Sequence, residues 1–573
     1  MPTVTTKPPT IPPRIERLLL APLFVLPVLW LTGYFFPPIN HDVAAILDVS
    51  TRWIGGEKLY VEVLDENLPL TFVIHGLPVL TAKILPGTVA FWFTAWVVAG
   101  IFASFWACRR LIHLVPSADH ALTEALFPPV LLFLFSVLPN EHFGQREHIM
   151  FVACAPYLIA SMARAEGVSP TRTASIAVGI VAGLALAMKP HYLAIPAAVE
   201  LYLLTHRGWR ATLTDPIPWA IGLLAVAHLV SMYTLFPDFG RFVLPLAIES
   251  YAPIGESGWR EVLTSNVLGP TLLALLIFGL LATLFTKTVA ARVLVVFGIG
   301  AALSAIGQAK GWPYHVLPAL SAAILLAALT VSQTVDRYLP ISRSAHRLPV
   351  AVICATLMVL LYFQAALYTP PFYKQRQFEA SIGGRLQHII EQNAPHRTFL
   401  VLSPGIYPFW PMVNYVNGRM TTRFLTMWVL QGVYATCDDF PALYNPPDTM
   451  GDSEKFVFDT VSDDFAREHP DLLIVDRIAG VPRSHLAMHK LVVNQVLLTM
   501  GLEQTQTLAT LFDGITRHDP EGLWFRRYAQ DQGFRAAVQW RDSGKPIPEG
   551  DEARELVREL EAKREREAKR EGG

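Results

Sequence analysis

The chain has 573 residues, of which 52% are apolar and 16% charged, with a net charge of −1. That balance excludes an ordinary soluble domain and describes a polytopic membrane protein; the near-zero charge gives no sign of a nucleic-acid partner, and none is expected. The four cysteines, Cys108, Cys154, Cys354 and Cys437, stand apart in sequence, three of them inside apolar runs, so they provide neither a disulfide framework nor a CxxC metal site.

Residues 1–17 form a leader rich in Pro and Thr, expected to be disordered and cytoplasmic. Leu18 to Phe36 is apolar and uncharged over 19 residues, enough at 1.5 Å per residue to cross a hydrocarbon core about 30 Å thick. Arg14 and Arg17 precede it and no small-residue cleavage site follows, so it reads as an uncleaved signal anchor. Pro37-Pro38-Ile39-Asn40-His41-Asp42 comes next and places an acid just beyond a membrane face. From there to residue 86 apolar and polar residues mix too closely for a span, which predicts interfacial helices over 38–86 with their apolar faces on lipid. Pro69 to Leu85 is the most apolar part of that stretch, and Lys83 argues for keeping it at the surface.

Ten further apolar runs follow, near 87–108, 121–138, 149–163, 174–188, 190–205, 216–236, 264–286, 293–309, 313–332 and 348–368. With the first they predict about 11 transmembrane helices within a module spanning 18–370. With the amino terminus inside, the inner loops collect Arg109, Arg110, Arg164, Arg172, Arg207, Arg210, Lys287, Arg292, Arg337, Arg343 and Arg347. The longer outer loops hold fewer basic residues, as the positive-inside rule requires. Beyond the last span the text changes. Thr398 to Ser403 and Asp471 to Asp476 are short strand-like runs, His489 to Gly501 has helical periodicity, and Gly522 to Phe525 is another candidate strand. An extracytoplasmic α/β domain is therefore predicted over 375–550, with a charged helical tail at 551–573.

Under this topology four polar clusters reach the same outer face: Asn40-His41-Asp42, Asn140 to His148, Lys189-Pro190-His191-Tyr192, and Gln308 to His315. A carboxylate just past a span is ordinarily a solvated helix end, and a lysine at the boundary ordinarily snorkels. Four clusters converging on one face change that balance, because ionisable groups near membrane depth are costly and are kept where they face a cavity or one another. There is no Gly-rich phosphate loop, HExxH pair or GxSxG elbow. Acids mixed with Lys, Arg and His at a lipid boundary suit binding an anionic lipid head group, activating a hydroxyl and stabilising a phosphate leaving group.

The chain resembles the GT-C superfamily of membrane glycosyltransferases, in particular the protein mannosyltransferase, aminoarabinose transferase and rhizobial lipopolysaccharide transferase group. The residues carrying the resemblance are Asp42 after the first span, Gly56-Glu57-Lys58-Leu59-Tyr60 and Asn67-Leu68-Pro69-Leu70 in the first outer loop, and the acids Glu141 and Glu147 after the third span. It implies a multi-pass enzyme of the cell (inner) membrane that moves a sugar from a polyprenyl-phosphate donor to a hydroxyl of an envelope glycan, lipid or protein, with inversion. By that match Asp42 is the expected general base and Glu147 the second acidic position. No paired-acid motif is present, so a divalent metal or other cofactor is not supported. A separate electrostatic argument makes Lys310 and Arg146 the leading candidates for holding the donor phosphate, with His315 and Lys189 behind them. His41, His142, His148 and His191 read first as hydrogen-bonded structural histidines. The competing class is a transporter or flippase of a lipid-linked sugar, which would call for internal repeats, and none is found.

Overall fold

The computed structural model describes residues 13–338 and 371–475, apart from 119–120, 253, 255–257, 395, 403–404, 417, 436–450 and 469–471. The amino-terminal leader up to residue 12, the run at 348–368, the helix at His489 to Gly501, the strand at Gly522 to Phe525 and the tail at 551–573 lie outside the described residues. In chain order the helices that matter below are α1 (Pro13–Gly33), α2 (His41–Ile54), α3 (Pro69–Ile84), α4 (Val89–Leu111), α5 (Ala121–Ser136), α6 (Arg146–Ala165), α7 (Arg172–Leu186), α8 (Ala194–Arg207), α9 (Pro216–Thr234), α10 (Leu268–Leu281), α11 (Val289–Gly307) and α12 (Leu317–Tyr338). Six described helical stretches are long and apolar enough to cross a membrane, and four shorter apolar helices include Pro69–Ile84 and Arg172–Leu186. This is a multi-pass membrane protein.

The chain divides into two units that interleave along the sequence. The first takes the described residues up to Asn40, then Leu68–Leu235 and the described part of Gly255–Gln375. Its centre is α6, in which nearly every residue from Glu147 to Ala165 is buried. Lipid is as apolar as leucine, so helices here associate through close packing rather than through water expulsion. Gly179 and Gly183 on α7 let α9 approach: a Cβ at Gly179 would meet Ala220 and the backbone of Ile217. Local signals start the helices. Thr171 accepts the amide of Ala174 at the start of α7, and Asp215 accepts the amide of Ile217 with Pro216 in the first turn of α9.

The two ends of α6 differ. Beyond its last turn Glu166 accepts the amide of Ser117 at 2.8 Å and that of Ala290 at 3.3 Å, while Gln333 donates to the carbonyl of Ser117 at 2.7 Å. Arg164 makes a two-pronged contact with Glu200, 2.8 Å on each side, and a third bond to Asp215 at 2.6 Å. The loops read as inner therefore gather at one end of the unit, and the four polar clusters of the other loops have members at the opposite end.

The second unit takes His41–Asn67, Phe236–Ile254 and the described residues after Arg376. Its strands β1 (Thr398–Leu402), β2 (Arg419–Met420) and β3 (Leu472–Val475) form a parallel sheet in the order β2-β1-β3, with Phe399 paired to Met420 on one side and Leu472 on the other. Parallel strands want both faces covered, which suits the unbroken apolar text of β1 and β3. Helix α2 belongs to this unit. Val43 to Leu47 and Val49 are buried, Asn414 donates to the carbonyl of Ala44 at 3.0 Å, Arg52 donates to that of Thr422 at 3.0 Å, and Leu64 to that of Arg423 at 2.7 Å. The stripe read in the sequence as lying on lipid is thus covered by protein, because carboxy-terminal residues supply the partner surface that local periodicity cannot reveal.

Candidate functional site

Lys189, next to the short helical turn Pro190–Leu193, pairs with Glu147: its ammonium donates to Glu147 Oε1 at 2.7 Å and to Gln308 Oε1 at 3.1 Å. His315 Nε2 lies 3.8 Å from the same carboxylate oxygen. Glu147 is only 1% exposed and His315 4%, so the cluster is dry. Aromatic rings close around the ammonium, with Tyr192 at 5.8 Å and Tyr314 at 6.0 Å, while Tyr314 packs edge-on against His315 at 4.4 Å.

The backbone that presents these groups is itself held. Gly144 has φ +79°, and a Cβ there would run into the Phe93 ring, so only glycine suits the turn that leads into α6. Its amide donates to His148 Nδ1 at 3.0 Å, while His148 Nε2 lies 2.8 Å from the carbonyl of Phe135. His148 is therefore the Nε2–H tautomer and serves as a brace, in line with its sequence reading. Asn40 bridges the same region: it donates to the carbonyl of Glu141 at 2.8 Å and accepts from Gln145 at 3.1 Å.

Of the residues picked out in the sequence, Glu147, Lys189 and His315 are brought into one cluster. Arg146 is next to Glu147 at the start of α6, and its charge acts on Glu147 and His315. Lys310 is buried in the turn between Gln308 and His315. Asp42 belongs to the second unit, in the first turn of α2, with its Oδ1 3.4 Å from His41 Nε2 and its side chain 18% exposed. Lys189 is the amine seated on the Glu147 carboxylate. Gln308 and Tyr192 have no role assigned by the sequence pattern, yet Gln308 shares the Lys189 ammonium and the Tyr192 ring borders it. Their contribution was hidden because 119 residues separate Gln308 from Lys189.

Among the described residues no group of three or more His, Cys, Asp or Glu side chains is arranged to hold a metal ion. The chain is similar to ArnT. Two crystal structures of ArnT from Cupriavidus metallidurans match it: the one bound to undecaprenyl phosphate at 15% identity and TM-score 0.43, covering 70% of this chain and 85% of that one, and the apo state at 13% and 0.43, covering 71% and 86%. ArnT is a GT-C aminoarabinose transferase, one of the groups the sequence resembles. No protein-family model and no curated protein matches the chain. The chemistry has to come from the side chains.

Glu147 is too buried, and too committed to Lys189, to take a proton from an incoming hydroxyl. What it does is hold an ammonium in place in a buried site, and Gln308 shares that task. A preorganised cation of this kind stabilises negative charge better than a solvated one, because no reorganisation is needed when the charge appears. His315 adds a ring nitrogen, Nδ1, without a hydrogen-bond partner among the described residues.

Proposed function

We propose that this protein transfers a sugar from a polyprenyl-phosphate donor to a hydroxyl of an envelope glycan, lipid or protein at the outer face of the membrane. The observation that carries the reading is the buried Lys189–Glu147 pair, with His315 3.8 Å from the same carboxylate oxygen and Arg146 next in sequence, within a module of membrane-spanning helices. A lipid phosphate arriving from the bilayer meets cations already fixed in position, and the aromatic rings of Tyr192, Tyr314 and Trp312 border the same region.

In this reaction the acceptor oxygen forms a bond to the anomeric carbon as the bond from that carbon to the phosphate oxygen breaks. The electron pair of the broken bond stays on the lipid phosphate, where Lys189, Arg146 and Lys310 stabilise it. The acceptor proton passes to Asp42, the role implied by the resemblance, and attack from the side opposite the phosphate inverts the anomeric centre. Glu147 acts by positioning Lys189. Partial exposure of Asp42 supports its role, since a base has to be reached by the hydroxyl it deprotonates.

The test uses the purified protein in vesicles with a radiolabelled polyprenyl-phosphate sugar and envelope acceptor material. Wild type is expected to consume the donor and label the acceptor, and Asp42→Asn to lose roughly 10²-fold in turnover while still binding donor. Full activity in Asp42→Asn removes it as the base. Donor moved across the vesicle without being consumed makes the protein a transporter.

A further inference from the structure

On the face of α6 turned away from Glu147, a cavity of about 360 Å³ opens between α3, α4, α6 and α7. Pro156, which lines it, is nine positions after Glu147, half a turn round the helix at 100° per residue, so this space is separate from the anion site. Along α4 the lining runs from Phe93 to Ala107, a length of about 20 Å at 1.5 Å rise per residue. It is therefore a groove lying along a membrane-spanning helix. Its walls are apolar, and its rim residues Leu77, Trp96 and Val181 are 45%, 47% and 49% exposed, so it opens where lipid surrounds the unit.

One end is polar. His75 is 1% exposed and stacks on Phe93, with ring centres 5.5 Å apart. Its Nδ1 lies 2.8 Å from the carbonyl of Thr71, and a carbonyl only accepts, so Nδ1 carries the proton. Nε2 of the neutral ring is then an acceptor, and it has no hydrogen-bond partner among the described residues. A buried acceptor left unpaired is costly, so it asks for a donor from whatever fills the groove. His75 lies at the end nearer the anion site, on the level of Phe93 and Gly144, where the head of a lipid rather than its tail would be.

We propose that this groove holds one acyl chain of a membrane phospholipid whose head group donates a hydrogen bond, N–H or O–H, to His75 Nε2. Size chooses the occupant. With a methylene taken as about the size of a water molecule, ~30 Å³, the space matches about twelve carbons, the scale of a single acyl chain. Gly100 borders open space in the groove, since a Cβ added there would meet nothing within 4 Å, so a large side chain at this position projects into it.

The proposal is independent of the sugar-transfer reading, and its test does not use that activity. Full-length protein in nanodiscs is exposed to phospholipids carrying a photoreactive acyl chain, with ethanolamine, glycerol or choline head groups, and the labelled peptides are mapped. Labelling on α4 and α7 is expected, at least threefold stronger with ethanolamine or glycerol than with choline, which has no donor. Gly100→Phe fills the groove and is expected to cut labelling at least fivefold, with Ala103→Leu one turn along as the second filling variant. His75→Phe keeps the ring stack and is expected to erase the head-group preference. Unchanged labelling in the folded filling variants overturns the groove as a chain site, and equal wild-type labelling by choline and ethanolamine probes overturns the role of His75.

Discussion

Lys189 Nζ and Glu147 Oε1 lie 2.7 Å apart although 42 residues separate them, and the carboxylate is almost fully buried. Breaking one side of such a pair leaves an uncompensated charge in a dry place. Glu147→Gln is expected to destabilise the protein by about 3–5 kcal/mol. The double variant Glu147→Gln, Lys189→Met removes both charges and is expected to lose less than the sum of the single variants, which a thermal-unfolding cycle in detergent would measure. Strict additivity would show that the pair is not coupled.

Lys189→Ala is expected to weaken binding of the polyprenyl-phosphate donor about tenfold or more and to lower turnover as well, because the same ammonium meets the phosphate before and during bond breaking. Donor binding measured by equilibrium dialysis of the labelled lipid in detergent checks this. An unchanged affinity would shift the phosphate contact to Arg146 and Lys310.

Asp48 on α2 provides a pH test in the second unit. Burial pushes its carboxyl up to about 6, against the opposing pull of Arg52, and its Oδ2 has no hydrogen-bond partner among the described residues. A raised folded-state value means that the folded chain holds the proton more tightly than the unfolded chain. This carboxyl therefore contributes stability below about pH 4, and the contribution is lost as pH rises towards 6. Asp48→Asn lacks that titration. Its melting temperature relative to wild type is expected to rise between pH 4 and 6 and then level off, and a difference independent of pH would contradict the assignment.

Arg164 separates structure from chemistry. It is fully buried, bonded to Glu200 and Asp215, and lies 17 residues along α6 from Glu147, about 25 Å at 1.5 Å per residue. Arg164→Met removes the buried guanidinium from Glu200 and Asp215, leaving Glu200 with the Tyr157 hydroxyl and Asp215 with Arg207 at 3.2 Å, and is expected to cost about 3 kcal/mol of stability. Sugar transfer per folded molecule is expected to stay within about twofold of wild type, read by normalising activity to the monodisperse fraction.

Amino-acid order alone determined what depends on neighbours in the chain. The apolar runs near 149–163, 216–236 and 293–309 are the helices Arg146–Ala165, Pro216–Thr234 and Val289–Gly307, because span length and periodicity are local properties. The strands at Thr398–Leu402 and Leu472–Val475 were legible for the same reason, whereas Arg419–Met420 is too short to leave a pattern. The polar clusters around Glu147, Lys189 and His315 were legible as belonging to one face, since each follows an apolar run of known direction. Only the tertiary structure decided which cation sits on Glu147, that Gln308 shares Lys189, that α2 packs against the carboxy-terminal residues around Asn414 and Thr422, and that a groove ends at His75. These depend on crossing angles and side-chain reach between residues tens to hundreds of positions apart, and such geometry is set by how whole helices pack rather than by any stretch of the chain.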